Sequence, residues 1–197
     1  MLKLKIIVAG SKDVGKTSLI HRFVSGRFLI NTLSTIGVDF MSKNLTVDNQ
    51  EVHLSLWDFA GEQKFRTLFP AYCSGASGAI VLFDLSSRQS FEDLKDWVEL
   101  IDTNSMNKRV IKLLIGSKAD LADQRQISED EANEFKTTYN FSHYLECSAK
   151  TGQNVDLIFT TITKEIISTS LTRCDKCNEL NPKGQLFCQY CGAKLAQ

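Results

Sequence analysis

The sequence predicts an α/β domain, a mostly parallel six-stranded sheet covered by helices on both faces, followed by a small cysteine-bearing tail. Three observations carry this. Strand-like segments alternate with segments of helical periodicity along most of the chain, the pattern left by crossover connections between parallel strands. Two segments, GAIVLFDL and RVIKLLIGSK, are continuous apolar runs, as expected of strands buried on both faces. Four of the six cysteines crowd the end of the chain. That shift in composition places a boundary near residues 168–173 and divides the chain into units 1–170 and 171–197.

The elements follow in order. LKLKIIVAG reads as a buried strand running into a glycine loop. TSLIHRFVSG has helical spacing at Leu19, Ile20, Phe23 and Val24, and Gly26 stops it. Residues 27–37 lack periodicity and read as a loop. VDFMSKNLTV and EVHLSLWDF form a hairpin through Asp48-Asn49, with Val52, Leu54 and Leu56 alternating against His53 and Ser55. SFEDLKDWVELI sets Phe91, Leu94, Val98 and Ile101 on one face of a helix. Ser128 and Glu131 have capping-box spacing ahead of EDEANEFKTTY. FSHYLECS is the last strand of the sheet, and NVDLIFTTITKEII the last helix, apolar at Val155, Ile158, Phe159, Ile162 and Ile166.

Composition narrows the function classes. The chain has 197 residues, 43% of them hydrophobic, with formal net charge zero. A protein built to coat nucleic acid or anionic membrane needs a basic surplus, which is absent. The apolar start is too short for a signal peptide or a membrane span. The reading is a cytoplasmic monomer with reduced thiols.

GSKDVGKT, residues 10–17, fits G-x-x-x-x-G-K-[ST] between a strand and a helix. Such a loop turns successive N–H groups onto phosphate oxygens, and the helix start adds positive potential. The run Asp13, Val14, Gly15, Lys16, Thr17 and Ser18 is the phosphate cradle. Lys16 is placed for the β and γ phosphates, and the Thr17 hydroxyl for Mg²⁺. Lys12 and Asp13 occupy the variable centre. Lys12 either faces solvent or leans over the γ-phosphate position.

With STIGVDF (34–40), WDFAGEQKFR (57–66), SKAD (117–120) and ECSAK (146–150) following in order, residues 4 to about 168 resemble the Ras superfamily of small GTPases, most closely its Rab members. The resemblance implies a P-loop small GTPase fold that binds GTP or GDP with Mg²⁺ and hydrolyses GTP. Loops 28–38 and 59–74 would switch with the γ-phosphate and engage effector, exchange-factor and activating proteins. Thr35 would join Thr17 and Asp58 around Mg²⁺, and the Gly61 N–H would bond the γ-phosphate. Asp120 would accept from guanine N1–H and its 2-amino group, donors adenine lacks. The Lys118 stem and Phe28 would pack on the base, with the Ala149 N–H at O6 between Ser148 and Lys150.

Three departures from the family pattern stand out. Ser117 replaces an asparagine that bonds the base and ties loops together, and its hydroxyl is expected to reach less far. Glu62 stands where a glutamine orients the attacking water, with Gln63 one place later. Phe59 replaces the threonine usual in Rab proteins. Catalysis would then rest on Lys16 with Glu62 or Gln63. Three outcomes are open: Gln63 shifts into register and hydrolysis is slow, a partner supplies the missing groups, or the protein is a GTP-holding scaffold that acts through its tail.

The tail, RCDKCNELNPKGQLFCQYCGAKL, carries Cys-x₂-Cys twice. Cys174, Cys177, Cys188 and Cys191 read as a structural Zn²⁺ set, with two disulfides, a redox dithiol or a rubredoxin-like iron site as the alternatives, and Asn178 and Gly192 suit the positive φ of each turn. So short a segment has no core of its own, so the metal would supply its folding energy. It resembles the zinc ribbons appended to archaeal proteins. No prenylation cysteine closes GAKLAQ, so any membrane recruitment would come through a partner. His21, His53 and His143 lack ligand spacing, and Cys73 and Cys147 read as structural.

Overall fold

The computed structural model describes residues 1–29, 35–62, 64, 69–104 and 110–196. Strands β1 (Leu2–Gly10), β2 (Val38–Val47), β3 (Gln50–Phe59), β4 (Gly78–Asp84), β5 (Ile111–Ser117) and β6 (His143–Glu146) form one six-stranded sheet in the order β2-β3-β1-β4-β5-β6. Every pairing is parallel except that of the β2–β3 hairpin. The hairpin turns at Asp48 and Asn49, both left-handed at φ 49° and 62°, as a two-residue turn between right-twisted strands requires.

Strand alternation sorts the core into two layers. From β1, Leu4, Ile6 and Val8 point to one face, against α1 (Lys16–Ser25) and α6 (Val155–Ser170). Ile7 and Ala9 point to the other, with α2 (Phe69–Cys73), α4 (Leu94–Asn104) and α5 (Glu129–Thr138). Central strands β4 and β5 are buried at every position, and they are apolar on both faces except at Asp84, Lys112 and Ser117, whose polar atoms are paired.

The helix expected over SFEDLKDWVELI is two, α3 (Arg88–Glu92) and α4. Between them Asp93 keeps helical dihedrals, but its carboxylate turns aside to accept from the Ser11 hydroxyl at 2.7 Å and from Gln89 Nε2 at 2.8 Å. The Ser128–Glu131 capping box forms as expected.

The tail is a second, smaller layer. β7 (Leu171–Arg173) leaves the end of α6 directly and pairs antiparallel with β8 (Leu180–Pro182). Its interior is Cys174, Cys188 and Leu195, with Cys177, Cys191 and Ala193 packed on them.

Candidate functional site

The carboxyl ends of β1, β3, β5 and β6 open into one cavity of about 710 Å³, the position a doubly wound sheet reserves for ligands. One wall is the loop from β1 into α1. Asp13 sits at φ 62° and Gly15 at φ 93°, left-handed turns of the kind that make a nest of N–H groups. Lys12 and Asp13 through Ser18 all line the cavity. Lys16 is buried, and its ammonium donates to the Ser11 carbonyl at 2.7 Å. Burial lowers its pKa to about 8, although Asp58 and Asp13 pull upward.

Three oxygens from three distant segments meet beneath that loop. Thr17 Oγ1 donates to Asp58 Oδ2 at 2.5 Å and lies 2.9 Å from Thr35 Oγ1. The Thr35 hydroxyl also reaches Asp58 Oδ2, at 3.3 Å. The second carboxylate oxygen, Asp58 Oδ1, is buried without a partner. Burial pushes the Asp58 carboxyl up despite the Thr17 hydroxyl and the Lys16 charge. A hard divalent cation takes such all-oxygen ligands, so the donor set fits Mg²⁺.

The loop after β3 is seated directly on the phosphate loop. A Cβ added to Gly61 would lie 2.3 Å from Lys12 N and 2.5 Å from Ser11 O, so only glycine permits this approach. The Ala60 N–H donates to the Gly37 carbonyl at 2.9 Å and joins the two switch segments. Phe59, buried, packs against Phe69 with centroids 4.6 Å apart and rings tilted by 55°, anchoring the second segment to α2. Glu62 lines the cavity, but its carboxylate is held by Lys12 at 3.4 Å and Lys64 at 2.7 Å. The Lys64 hydrogen bond, followed by that of Lys12, outweighs desolvation and keeps it ionised below the usual carboxylate range. Gln63 lies outside the described residues.

At the far end, Phe28, Ser117, Lys118, Asp120, Ala149 and Lys150 line the cavity. Ser148 is fully buried behind them and donates to Asp120 Oδ1 at 2.5 Å, which aims the carboxylate. The Lys150 ammonium is 3.9 Å from Asp120 Oδ2. The Ser117 hydroxyl turns onto the backbone around it. It contacts the Val14 carbonyl at 2.6 Å and the Phe83 carbonyl at 2.8 Å, so it still ties the phosphate loop to the sheet. Sequence reasoning missed Asp84, whose carboxylate pairs with Lys118 at 2.7 Å. Its position at the carboxyl end of a buried strand was the available signal.

The family model that matches residues 5–168 is described as "Ras family". The chain belongs to the Ras family. It is similar to Ras-related protein Rab-18 of Caenorhabditis briggsae, 40% identical over 166 residues, 84% of this chain and 81% of that protein. It is also similar to Rab-1 of Theileria parva, 42% identical over 163 residues, 82% and 73% of the two chains. Human Rab-8B is 34% identical over 180 residues, 91% and 84%. This Rab-like protein is a P-loop small GTPase, a switch that binds GTP or GDP with Mg²⁺ and hydrolyses GTP. Nothing in the geometry favours a static scaffold.

The four tail cysteines form a second cluster. Their sulfurs all lie within 4.8 Å of one another, with Cys174–Cys191 at 3.7 Å and Cys177–Cys188 at 3.5 Å. A tetrahedron with metal–sulfur bonds of about 2.3 Å has edges of about 3.8 Å, so the thiols fit a structural Zn²⁺. Each Cys-x₂-Cys closes in the same way. Asn178 at φ 63° returns its N–H to the Cys174 carbonyl, and Gly192 at φ 71° to that of Cys188. Burial opposes ionisation of Cys188, but N–H groups of Cys191, Tyr190 and Asn181 outweigh it and bring the thiol to about 6. Among the described residues no helix is long and apolar enough to cross a membrane.

Proposed function

We propose that this GTPase senses the γ-phosphate with intact machinery but orients the attacking water poorly, so that its intrinsic hydrolysis is slow and a partner accelerates it. The observation that carries this is the meeting of Thr17, Thr35 and Asp58, with Asp58 Oδ1 unpartnered. One point joins the phosphate loop to both switch segments, and Mg²⁺ held there would neutralise phosphate charge.

Residues 13–18 hold the phosphates, with the Lys16 ammonium at the β and γ groups. Asp120, aimed by Ser148, reads the guanine edge, and Lys118, Phe28, Ala149 and Lys150 enclose the base. Near the γ-phosphate, Gly61 offers its N–H. Glu62, an ionised carboxylate bound to two lysines, has no proton to donate and is not free to hold water as an amide does. Gln63 and an activating protein are the remaining sources of that function.

Effectors dock where the switches meet. Ile36 and Phe40 are 84% and 70% exposed, and Phe40, Trp57 and Tyr72 form a continuous aromatic row with centroids 5.8 and 5.6 Å apart. Exposed apolar surface of this kind marks a partner site. Residues 1–170 are the GTPase unit, and residues 171–197 are a zinc ribbon of archaeal type that serves as a protein-docking end. Its reduced thiols suit action from the cytoplasm, with partners bringing the protein to membranes.

Protein purified without added nucleotide, denatured and resolved by ion exchange, should release guanine nucleotide. Loaded with GTP and Mg²⁺, it should form phosphate slowly in a single turnover. Absence of bound guanine nucleotide, or fast unaided turnover, contradicts this reading.

A further inference from the structure

Lys12, in the variable centre of the phosphate loop, and Glu62, the departure at the second switch, touch each other. Gly61 is locked against the backbone of Ser11 and Lys12. Glu62 is the next residue, so its backbone is held close to the phosphate loop. Its carboxylate is 27% exposed and lines the cavity. An anion fixed there faces the third phosphate of GTP but lies beyond the end of GDP. Left alone, it would select against the triphosphate.

Lys12 meets this problem. It projects from the phosphate loop, lines the same cavity, and places Nζ 3.4 Å from Glu62 Oε1. The other oxygen, Oε2, is held by Lys64, which does not line the cavity. Of the two lysines that hold Glu62, Lys12 is thus the one that shares the cavity with it.

We propose that Lys12 and Glu62 act as one compensated charge pair that sets the preference for GTP over GDP. Lys12 shields the third phosphate from Glu62, and its ammonium is shared between them when GTP is bound. This rests on the reading that the phosphates lie along residues 13–18. A partly exposed pair is screened, and Lys64 retains part of the compensation. The expected effect of losing Lys12 is on the order of tenfold in the GTP-to-GDP affinity ratio.

The test is a double-mutant cycle on the full chain with Mg²⁺. Affinities for a fluorescent GDP and for a non-hydrolysable fluorescent GTP analogue are measured in wild type, Lys12→Met, Glu62→Gln and the double variant. Methionine keeps the length of the side chain, and both positions are partly exposed, so the fold is retained. With Glu62 present, Lys12→Met should lower the ratio about tenfold. With Gln at position 62, the same change should lower it less than threefold. Equal losses in both backgrounds, or no loss in either, overturn the pair while leaving the nucleotide site standing. If wild type binds neither nucleotide, the reading of the cavity falls as well.

Discussion

Removal of the Ser117 hydroxyl should loosen nucleotide without unfolding the protein. Ser117 is 5% exposed at the end of β5. Its oxygen is 2.6 Å from the Val14 carbonyl and 2.8 Å from the Phe83 carbonyl. One hydroxyl proton serves one acceptor at a time, so Ser117→Ala deletes about one hydrogen bond and strands a buried acceptor. That costs about 1–3 kcal/mol. Because Val14 belongs to the phosphate loop, a large share of the loss falls on the loop conformation that holds phosphate. A share of about 1.4 kcal/mol corresponds to roughly tenfold faster release. The assay is dissociation of a fluorescent GDP analogue, chased with excess GDP at fixed Mg²⁺. Ser117→Asn supplies the comparison, since an amide reaches the loop and the base together, and its release should be no faster than wild type. A Ser117→Ala release rate within twofold of wild type would refute the tie between this hydroxyl and the phosphate loop.

Gly61→Ala forces a Cβ to within 2.3 Å of Lys12 N, so the second switch must lift off the phosphate loop. GTP-analogue affinity should fall at least tenfold more than GDP affinity in parallel titrations, the loss expected for a charge-assisted hydrogen bond of about 1.5–3 kcal/mol. Treatment with a strong chelator and a thiol-reactive mercurial should release one zinc per chain, read with a metallochromic dye, and should abolish hydrogen-exchange protection in residues 171–196 while the sheet stays protected. Ser128→Ala removes the capping box of α5 and should cost about 1 kcal/mol, read as a fall of about 2–4 °C in the melting temperature at a fixed concentration of GDP.

The fold was legible because the burial pattern is simple. Central strands are apolar on both faces but for Asp84, Lys112 and Ser117, and α6 buries the five positions that its periodicity marked, Val155, Ile158, Phe159, Ile162 and Ile166. Motifs that depend on backbone shape were equally readable, since Asn178 and Gly192 adopt the positive φ that their turns demand. Contacts between distant segments were not. The Asp93 carboxylate is bonded by Ser11, 82 positions away. The span of Ser117 depends on how close β5 brings it to Val14. Glu62 read alone was an unscreened anion, and the two lysines that neutralise it become visible only once Gly61 is seated on the phosphate loop. Side-chain identity predicts chemistry at one position, whereas charge compensation is a property of folded neighbours.

The most direct test of slow, water-limited hydrolysis is single-turnover phosphate release from GTP-loaded wild type and Glu62→Gln, without a partner and at saturating Mg²⁺. An amide can orient water where a lysine-bound carboxylate cannot, and one positioned group of this kind is worth on the order of a hundredfold to a thousandfold. A rate increase of that size in Glu62→Gln supports the account. Equal rates, or a slower variant, would contradict it and assign the water to Gln63 or to Glu62 itself.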